Sequence, residues 1–302
     1  MIDSKMMKDI LSLQRSELTD HYMYLKLAKR EKDPHNKEVL EKIAKDEYRH
    51  YHFWKKITNE ELKPRRLHLW FYYIISIIFG ITFGVRLMEL GEVKTQYLYK
   101  ELEGKIEGIE KLVQEEEEHE EALIDKLKEE KLNYVGSIVL GLNDALVELT
   151  GTLAGLTFAL ANSKIVALSG LITGIAASFS MASSEYLAKK QEESHSKALK
   201  SAFYTGVAYI IAVVLLILPY LLMPSDITFN IFGVIVEGIY VSLAITILVV
   251  VLIILVFNFY ISVAKRLNFK KRFFEMVTIS LGVAILSFVI GYLVKTIFNI
   301  DI

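Results

Sequence analysis

Cysteine is absent from the 302-residue chain, and no signal peptide is recognisable at its start. Without cysteine there is no disulfide and no thiolate metal site, so a bound metal would need carboxylate, imidazole, carbonyl, hydroxyl or thioether ligands. The opening stretch MIDSKMMKDILSLQRSEL lacks the apolar core and cleavage site of a signal peptide, and we therefore expect the first half to stay in the cytoplasm. The near-neutral net charge, formally −1, gives no reason to expect a nucleic-acid partner.

Charged residues are scarce in the second half of the chain. Residues 1–136 contain 24 of the 35 Lys and Arg and 27 of the 36 Asp and Glu, which leaves 11 and 9 for the remainder. The longest apolar runs of that remainder are each near the roughly 20 residues that cross a hydrocarbon core. These runs are 135–160, 165–187, 202–223, 238–263 and 276–297. They predict five transmembrane helices in a lipid bilayer.

Basic residues in the connections between these runs indicate how the chain crosses the membrane. Lys and Arg accumulate in short cytoplasmic loops. Four lysines follow the second run and five Lys or Arg follow the fourth, whereas the first and third connections contain only Lys164. This distribution predicts a multi-pass protein of the cell membrane with its N-terminal half in the cytoplasm and its C-terminus outside.

The first half is typical of four helices and shows no strand-like alternation. Pro34, the segment NEELKPRR at 59–66 and Gly104 provide the breaks. The predicted helices run to about residue 31, then over about 36–58, 67–102 and 105–130. The predicted fold class is therefore all-α, with a helical domain at 1–132 and a five-span membrane domain at 133–302.

A Glu-x-x-His spacing occurs three times, at Glu47/His50, Glu116/His119 and Glu192/His195. Residues three apart share a helix face and can bind one metal ion, and carboxylate with imidazole suits iron or manganese. A single such pair on a charged helix is more often a solvated surface, and EEEEHEE at 115–121 also fits a plain charge run.

The spacing of further glutamates favours metal binding. Four-helix di-iron proteins take one Glu from each of two helices and a Glu-x-x-His from each of the other two. Glu17 lies about as far before the Pro34 turn as Glu47 lies after it, and Glu92 and Glu116 each lie twelve residues from Gly104. Antiparallel hairpins would bring these side chains to the same height. Glu115 remains an alternative to Glu116, and the other histidines match no pattern.

Residues 8–128 resemble the rubrerythrin branch of the ferritin-like proteins, through ELTDHYMY at 17–24 and ELGEVKTQY at 89–97. The resemblance implies a ferritin-like four-helix bundle with a di-iron centre, in which Mn2+ or Zn2+ could replace iron. The implied ligands are Glu17, Glu47, His50, Glu92, Glu116 and His119, with Glu89 as an alternate ligand. The four-cysteine iron module of rubrerythrins is absent, so their peroxidase electron route is in doubt.

The apolar segment around 67–86, LHLWFYYIISIIFGITFGV, is nearly long enough to form a sixth span. Crossing the membrane there would separate Glu92 and His119 from Glu17 and His50. We therefore expect this segment to lie along the membrane surface or to pack against the spans or a second subunit, with Trp70 as an interfacial anchor together with Tyr72 and Tyr73.

Ionisable residues inside membrane spans are costly and are candidates for function. The first span contains Asn143, Asp144 and Glu148, of which the two carboxylates share a helix face. The second span supplies Glu185 near its end, among serines and small residues. Met181 in the same span is, on composition alone, typical of a lipid-facing side chain.

GLNDALVELTGTLAGL at 141–156 and SGLITGIAASFSMASSEYL at 169–187 resemble the first two spans of the vacuolar iron transporter family. The family implies a homodimer that exchanges Fe2+ or Mn2+ for protons, with Asp144 and Met181 in the transport path and Glu148 and Glu185 as further ligands. Thr173 stands where many relatives are acidic. The connection KKQEESHSKALK is short, and Glu192/His195 there is either a remnant metal site or a solvated helix end.

The two resemblances together predict an exporter of Fe2+, or of Mn2+, that works by proton antiport and carries a di-iron domain for capture, sensing or oxidation. An alternative is a membrane-anchored ferroxidase or peroxide scavenger in which the spans serve only as an anchor. Whether the chain is also an enzyme stays open, and the expected partners are metal ions, protons, lipid and a second copy.

Overall fold

The structure, a computed structural model, describes residues 4–91, 98, 99, 102, 104–115, 126–231 and 234–298. The chain divides into two compact units, Met1–Glu130 and Lys131–Ile302. Both units are helical in the described residues, apart from one two-stranded hairpin in the second.

The described residues of the first unit form helices whose two ends the structure gives, and one more helix begins at the last residue of the unit. They are α1 (Ser4–Arg30), α2 (Pro34–Thr58), α3 (Arg66–Phe79), α4 (Ile81–Gly91), α5 (Ile109–Glu115) and α6 (Glu130–Asn133), the last of which crosses into the second unit. The turn between α1 and α2 lies where Pro34 predicts it. Asp33 caps α2 by accepting a hydrogen bond from the Asn36 N–H, and Pro34 occupies the first turn, where its missing N–H costs nothing.

The third predicted helix, at 67–102, is interrupted. Gly80 has a φ of +103°, a conformation that side chains with a Cβ rarely adopt, and it separates α3 from α4. The carboxylate of Glu129 accepts hydrogen bonds from the N–H groups of Ile81 (2.9 Å) and Thr82 (3.0 Å), so it caps α4 from a distant part of the chain. α5 likewise begins later than predicted, after a turn at 104–108.

In the described part of the second unit, five helices are long and apolar enough to cross a membrane, as the sequence predicts. They are α7 (Val135–Leu160), α8 (Ser163–Glu192), α9 (His195–Leu222), α10 (Gly238–Lys265) and α11 (Phe269–Phe298). α7 packs against each of the other four. Close approach depends on small residues, since a Cβ on Gly141 of α7 would meet the backbone of Thr205 in α9.

The connection between α9 and α10 is a hairpin rather than an irregular loop. β1 (Thr228–Ile231) pairs antiparallel with β2 (Val234–Glu237), with Thr228 opposite Glu237. The Gly238 N–H donates to the Ile227 carbonyl over 2.7 Å, which closes the base of the hairpin directly at the start of α10.

Candidate metal centre and candidate transport path

Three ionisable side chains of the first unit converge at one point in its interior. Glu17 comes from α1, and Glu47 and His50 come from adjacent turns of α2. One ligand atom from each lies within 4.8 Å of the other two. Each of the three residues is only 4% exposed, so the group is enclosed by protein.

Two apolar clusters explain why these residues meet. In the first, Leu13 of α1 packs with Trp54 of α2, and in the second, Met23 packs with Ala44. Because residues early in α1 pack with residues late in α2, the helices are antiparallel. Glu17 lies between Leu13 and Met23, while Glu47 and His50 lie between Ala44 and Trp54. The three donors therefore form a polar layer between two apolar layers.

Further polar contacts orient Glu17 within this layer. The Tyr99 hydroxyl donates a hydrogen bond to Glu17 Oε1 over 2.5 Å. The other carboxylate oxygen, Oε2, lies 3.7 Å from His50 Nδ1. The Tyr99 ring in turn stacks on the buried ring of Trp54, with the ring centroids 5.7 Å apart. Glu17 is thus held from both sides.

The environment of Glu17 favours its ionised form. Burial alone would raise the pKa of this carboxyl group. The neighbouring His50 imidazole, the Glu47 carboxyl group and the Tyr99 hydroxyl outweigh burial, so the pKa of Glu17 lies below its ordinary value. An ionised carboxylate is the form that binds a metal ion.

The donor set fits a divalent metal. Two carboxylates and one imidazole buried together are costly in a metal-free protein, because their charges have lost most of their contact with water. A divalent cation would neutralise the carboxylates, and this combination of oxygen and nitrogen donors suits iron, manganese or zinc. The buried Glu-Glu-His group can therefore hold a metal ion.

Of the four other predicted ligands, one is described by the structure. Glu89 lies near the end of α4, half-buried, and is not among the three residues that converge. Glu92, Glu116 and His119 lie outside the described residues. Their role as ligands stays a prediction.

Carboxylates of the membrane spans have separate partners. Glu148 of α7 accepts a hydrogen bond from the Tyr209 hydroxyl of α9 over 2.8 Å. Asp144 lies one turn earlier on α7 and is half-buried, as is Asn143. Tyr209 is fully buried, whereas Glu148 is exposed on the surface of this single chain. An exposed glutamate in a span needs a polar surrounding in the membrane.

A second hydrogen-bonded carboxylate lies towards the end of α8. Glu185 is buried, and its Oε1 accepts a hydrogen bond from the Ser137 hydroxyl of α7 over 2.7 Å. The Thr205 hydroxyl of α9 donates to the Ser137 carbonyl, so three helices meet beside Glu185. Met181, one turn before Glu185, is half-buried and packs against the apolar core of the spans.

Glu192 and His195 do not share a helix face. α8 ends at Glu192 and α9 begins at His195. Glu192 is paired with Lys189 over 3.5 Å, and His195 Nδ1 lies 3.0 Å from the Tyr186 hydroxyl. Both residues are exposed, and a metal site there stays a prediction.

Tyr99, Tyr209 and Ser137 contact the candidate residues but were not singled out from the sequence. A signal existed for Tyr209, since a hydroxyl group in an otherwise apolar span needs a polar partner. Tyr99 and Ser137 carry no comparable signal, because their partners lie 82 and 48 residues away along the chain.

Comparison with protein families gives a match within the second unit. The model of the VIT family, the vacuolar iron transporters, matches residues 135–200, which include α7, α8 and the beginning of α9. A comparison with curated proteins finds no match to the chain.

The matched region includes Asp144, Glu148, Met181 and Glu185, and it confirms the resemblance that these two spans have to vacuolar iron transporters. Together with the five apolar helices, it indicates a multi-pass membrane protein that transports metal ions.

Proposed function

We propose that the protein exports Fe2+, or Mn2+, from the cytoplasm in exchange for protons, and that its first unit is a ferritin-like domain that captures the metal. The observation that carries the proposal is the pairing of two features in one chain. A buried Glu17–Glu47–His50 donor set lies in the first unit, and spans that match the VIT family lie in the second. The basic loops after the second and fourth spans support export, since their charge predicts a cytoplasmic position for the first unit and its donor set.

The ferritin-like part of the proposal rests on the antiparallel α1 and α2, which bring Glu17 level with Glu47 and His50. In a di-iron centre, Glu92, Glu116 and His119 would complete the donor set, with Glu89 as an alternate ligand. Bound iron would supply one-electron redox chemistry at this position. The chain's own residues bind the metal through carboxylate and imidazole groups and exclude water through the apolar layers on either side.

The transport path in this proposal runs along α7 and α8. Asp144, Glu148 and Glu185 provide oxygen ligands, with Asn143 and the Met181 thioether as additional donors. Protons would compete with Fe2+ for the carboxylates, which couples metal movement to proton movement in the opposite direction. The exposed Glu148 favours a homodimer, since a second copy could provide the polar surrounding that this side chain needs.

A membrane-anchored ferroxidase is the second candidate function. The observation in its favour is the Tyr99–Trp54 stack beside Glu17, which places two redox-active side chains next to the donor set. In that case the protein would oxidise Fe2+ in detergent solution, with dioxygen or peroxide as the electron acceptor, and substitution of the carboxylates in the spans would leave this oxidation unchanged.

The two functions can be separated by measuring Fe2+ flux and Fe2+ oxidation in the same variants. In proteoliposomes under a proton gradient, Asp144→Asn should abolish Fe2+ flux and leave metal binding by the first unit intact. Glu47→Gln should weaken metal binding by the first unit. Asp226→Asn, which changes an exposed carboxylate in the connection between α9 and β1, is the matched control and should behave as wild type.

Wild-type flux in Asp144→Asn would contradict the transport proposal. If Glu47→Gln abolishes Fe2+ oxidation while cells that carry this variant export iron at the wild-type rate, the result would favour the ferroxidase. If metal analysis finds no iron in either wild type or Glu47→Gln, the capture role of the first unit would be contradicted. The transport proposal would then depend on the flux of Asp144→Asn alone.

A further inference from the structure

One face of α3 exposes a row of large apolar side chains. Leu67, Trp70, Phe71, Ile74 and Ile78 recur at the three- and four-residue spacing of a single helix face. All five are exposed, and Trp70 is 52% exposed. No charged residue interrupts this face, so it forms a continuous apolar surface on the first unit.

The opposite face of α3 is already packed. Leu69, Tyr72 and Tyr73 lie against the apolar cluster formed by α1, α2 and α4. Ser76 is buried and donates a hydrogen bond to the Tyr72 carbonyl over 2.8 Å. α3 therefore buries one face within its own unit and leaves the apolar row exposed on the other.

A basic groove lies along the N-terminal half of α3. The groove has a volume of about 570 Å³, and Lys26 and Lys29 of α1 and Arg66 of α3 contribute to its lining. The Lys26 ammonium lies over the Trp70 ring, 3.2 Å from its centroid, and 4.1 Å from that of Tyr73. The positive charges thus lie directly beside the aromatic part of the apolar row.

Within the part of the chain that the structure describes, the three cations of this groove, Lys26, Lys29 and Arg66, are free of ion pairs. Tyr22, Leu25 and Pro64, which also line the groove, are uncharged. The groove therefore offers three cationic side chains, none paired with a described carboxylate, to an anionic group.

We propose that α3 docks in the plane of a bilayer leaflet, with its apolar row among the acyl chains and the basic groove on the headgroups of anionic lipids. A helix of 14 residues rises about 21 Å, which is too short to cross a hydrocarbon core of about 30 Å but suits an interfacial position. Trp and cationic side chains are both found at the level of the headgroups.

Charge complementarity favours a lipid surface over a second copy of the chain. A second copy would bring an identical set of three cations close to the first, whereas an anionic leaflet neutralises them. Each Lys or Arg near such a surface strengthens binding about fivefold, so the groove would contribute on the order of 100-fold. The chain's own five spans keep a bilayer available to it.

The proposal is testable through Trp70, because Trp54, the other tryptophan, is fully buried. The full-length protein would be reconstituted in vesicles of phosphatidylcholine alone or mixed equally with phosphatidylglycerol, in each case with brominated acyl chains that quench nearby tryptophan. We expect stronger quenching with phosphatidylglycerol, and loss of that difference in the Lys26→Gln, Lys29→Gln, Arg66→Gln triple variant. Trp70→Phe, which retains Trp54, should show almost no quenching.

The matched control is the triple variant Lys8→Gln, Lys42→Gln, Lys45→Gln, which removes the same charge from exposed positions of α1 and α2. It should be quenched like wild type. Equal quenching in both lipid mixtures, or equal loss in both triple variants, would overturn the recognition of anionic headgroups.

Lipid nanodiscs that hold one or two copies of the full chain distinguish a lipid surface from the alternative occupants of the α3 face. Quenching of Trp70 by aqueous acrylamide but not by brominated lipid would show that the face is open to water, which overturns the proposal. Protection from both quenchers only in discs with two copies would identify a second copy as the occupant. Protection from both in discs with one copy would identify another part of the chain. Either result would overturn the proposal.

Discussion

Glu17 and Glu47 of the first unit converge with His50 at one buried point, whereas Glu148 and Glu185 of the spans each have a separate hydroxyl partner, Tyr209 and Ser137. Convergent donor groups that are shielded from water suit tight binding of one ion. Carboxylates that are spread along two helices, each held by a single neutral donor, offer successive weaker sites, and an ion that must move on needs weak sites. The same side-chain chemistry therefore suits retention in one unit and passage in the other.

The strongest test of this contrast removes the nitrogen donor of the buried Glu17–Glu47–His50 group. His50→Phe keeps a ring of similar size and removes both ring nitrogens, so metal affinity of the first unit should fall by at least about 100-fold. The measurement is competition for Fe2+ with a chelator of known affinity. His52→Phe, at an exposed histidine two residues away, should retain the wild-type affinity. Unchanged affinity in His50→Phe would contradict the assignment of the donor set.

The complementary test acts on the spans. Tyr209→Phe removes the hydroxyl that donates to Glu148, so this carboxylate loses its fixed orientation, and Fe2+ flux should fall by about tenfold. Metal binding by the first unit should not change. Tyr204→Phe is the matched control, since Tyr204 lies five residues earlier in α9 and stacks on Tyr134 through its ring. Equal flux in both variants would show that the Tyr209 hydroxyl does not support transport.

A smaller effect is expected for the acid stability of the metal-free first unit. Glu17 has a pKa below its ordinary 4.5, so its ionised form stabilises the fold above that pH, and this contribution is lost as the pH falls through the lowered pKa. Tyr99→Phe removes one cause of the lowering, and the acid transition should therefore begin at a higher pH.

Hydrogen exchange of α1 and α2 amides, measured across the acid range, would report this transition. Tyr51→Phe, at another buried tyrosine of the first unit, should leave its onset unchanged. A transition that moves equally in both variants would indicate a general loss of packing rather than a change in the pKa of Glu17.

The smallest effect is expected at Glu192 and His195. Because the helix breaks between them and each has another partner, Glu192→Gln with His195→Ala should change Fe2+ flux by less than about twofold. A larger loss of flux would contradict this expectation, as would loss of a bound metal from the second unit. Either result would show that Glu192 and His195 bind metal at the exposed connection between α8 and α9.

The parts of the fold that were predictable depend on local signals. Pro34 predicts the turn between α1 and α2, and the apolar runs predict the five spans to within a few residues at most ends. Glu47 and His50 share a helix face because of their spacing alone. Their meeting with Glu17 follows from helices that run antiparallel from a known turn, so it too could be inferred.

The parts that were not predictable depend on distant residues. A glycine within an apolar run is ordinarily tolerated in a helix, and the residues next to Gly80 do not predict a helix break. The cap that supports the break comes from Glu129, which lies 48 residues after Ile81. The partners of Glu17, Glu148 and Glu185 are similarly far along the chain, and only the packing of whole helices brings them into contact.

Gly80 also has a consequence for biosynthesis. A continuous helix over residues 66–91 would rise about 39 Å, which is long enough for the insertion machinery to accept as a span. Such an extra crossing would invert the orientation of every later span. By ending α3 at Phe79, the glycine limits the uninterrupted helix to a length that cannot cross. A single backbone conformation can thus decide on which side of the membrane the remaining two-thirds of the chain emerges.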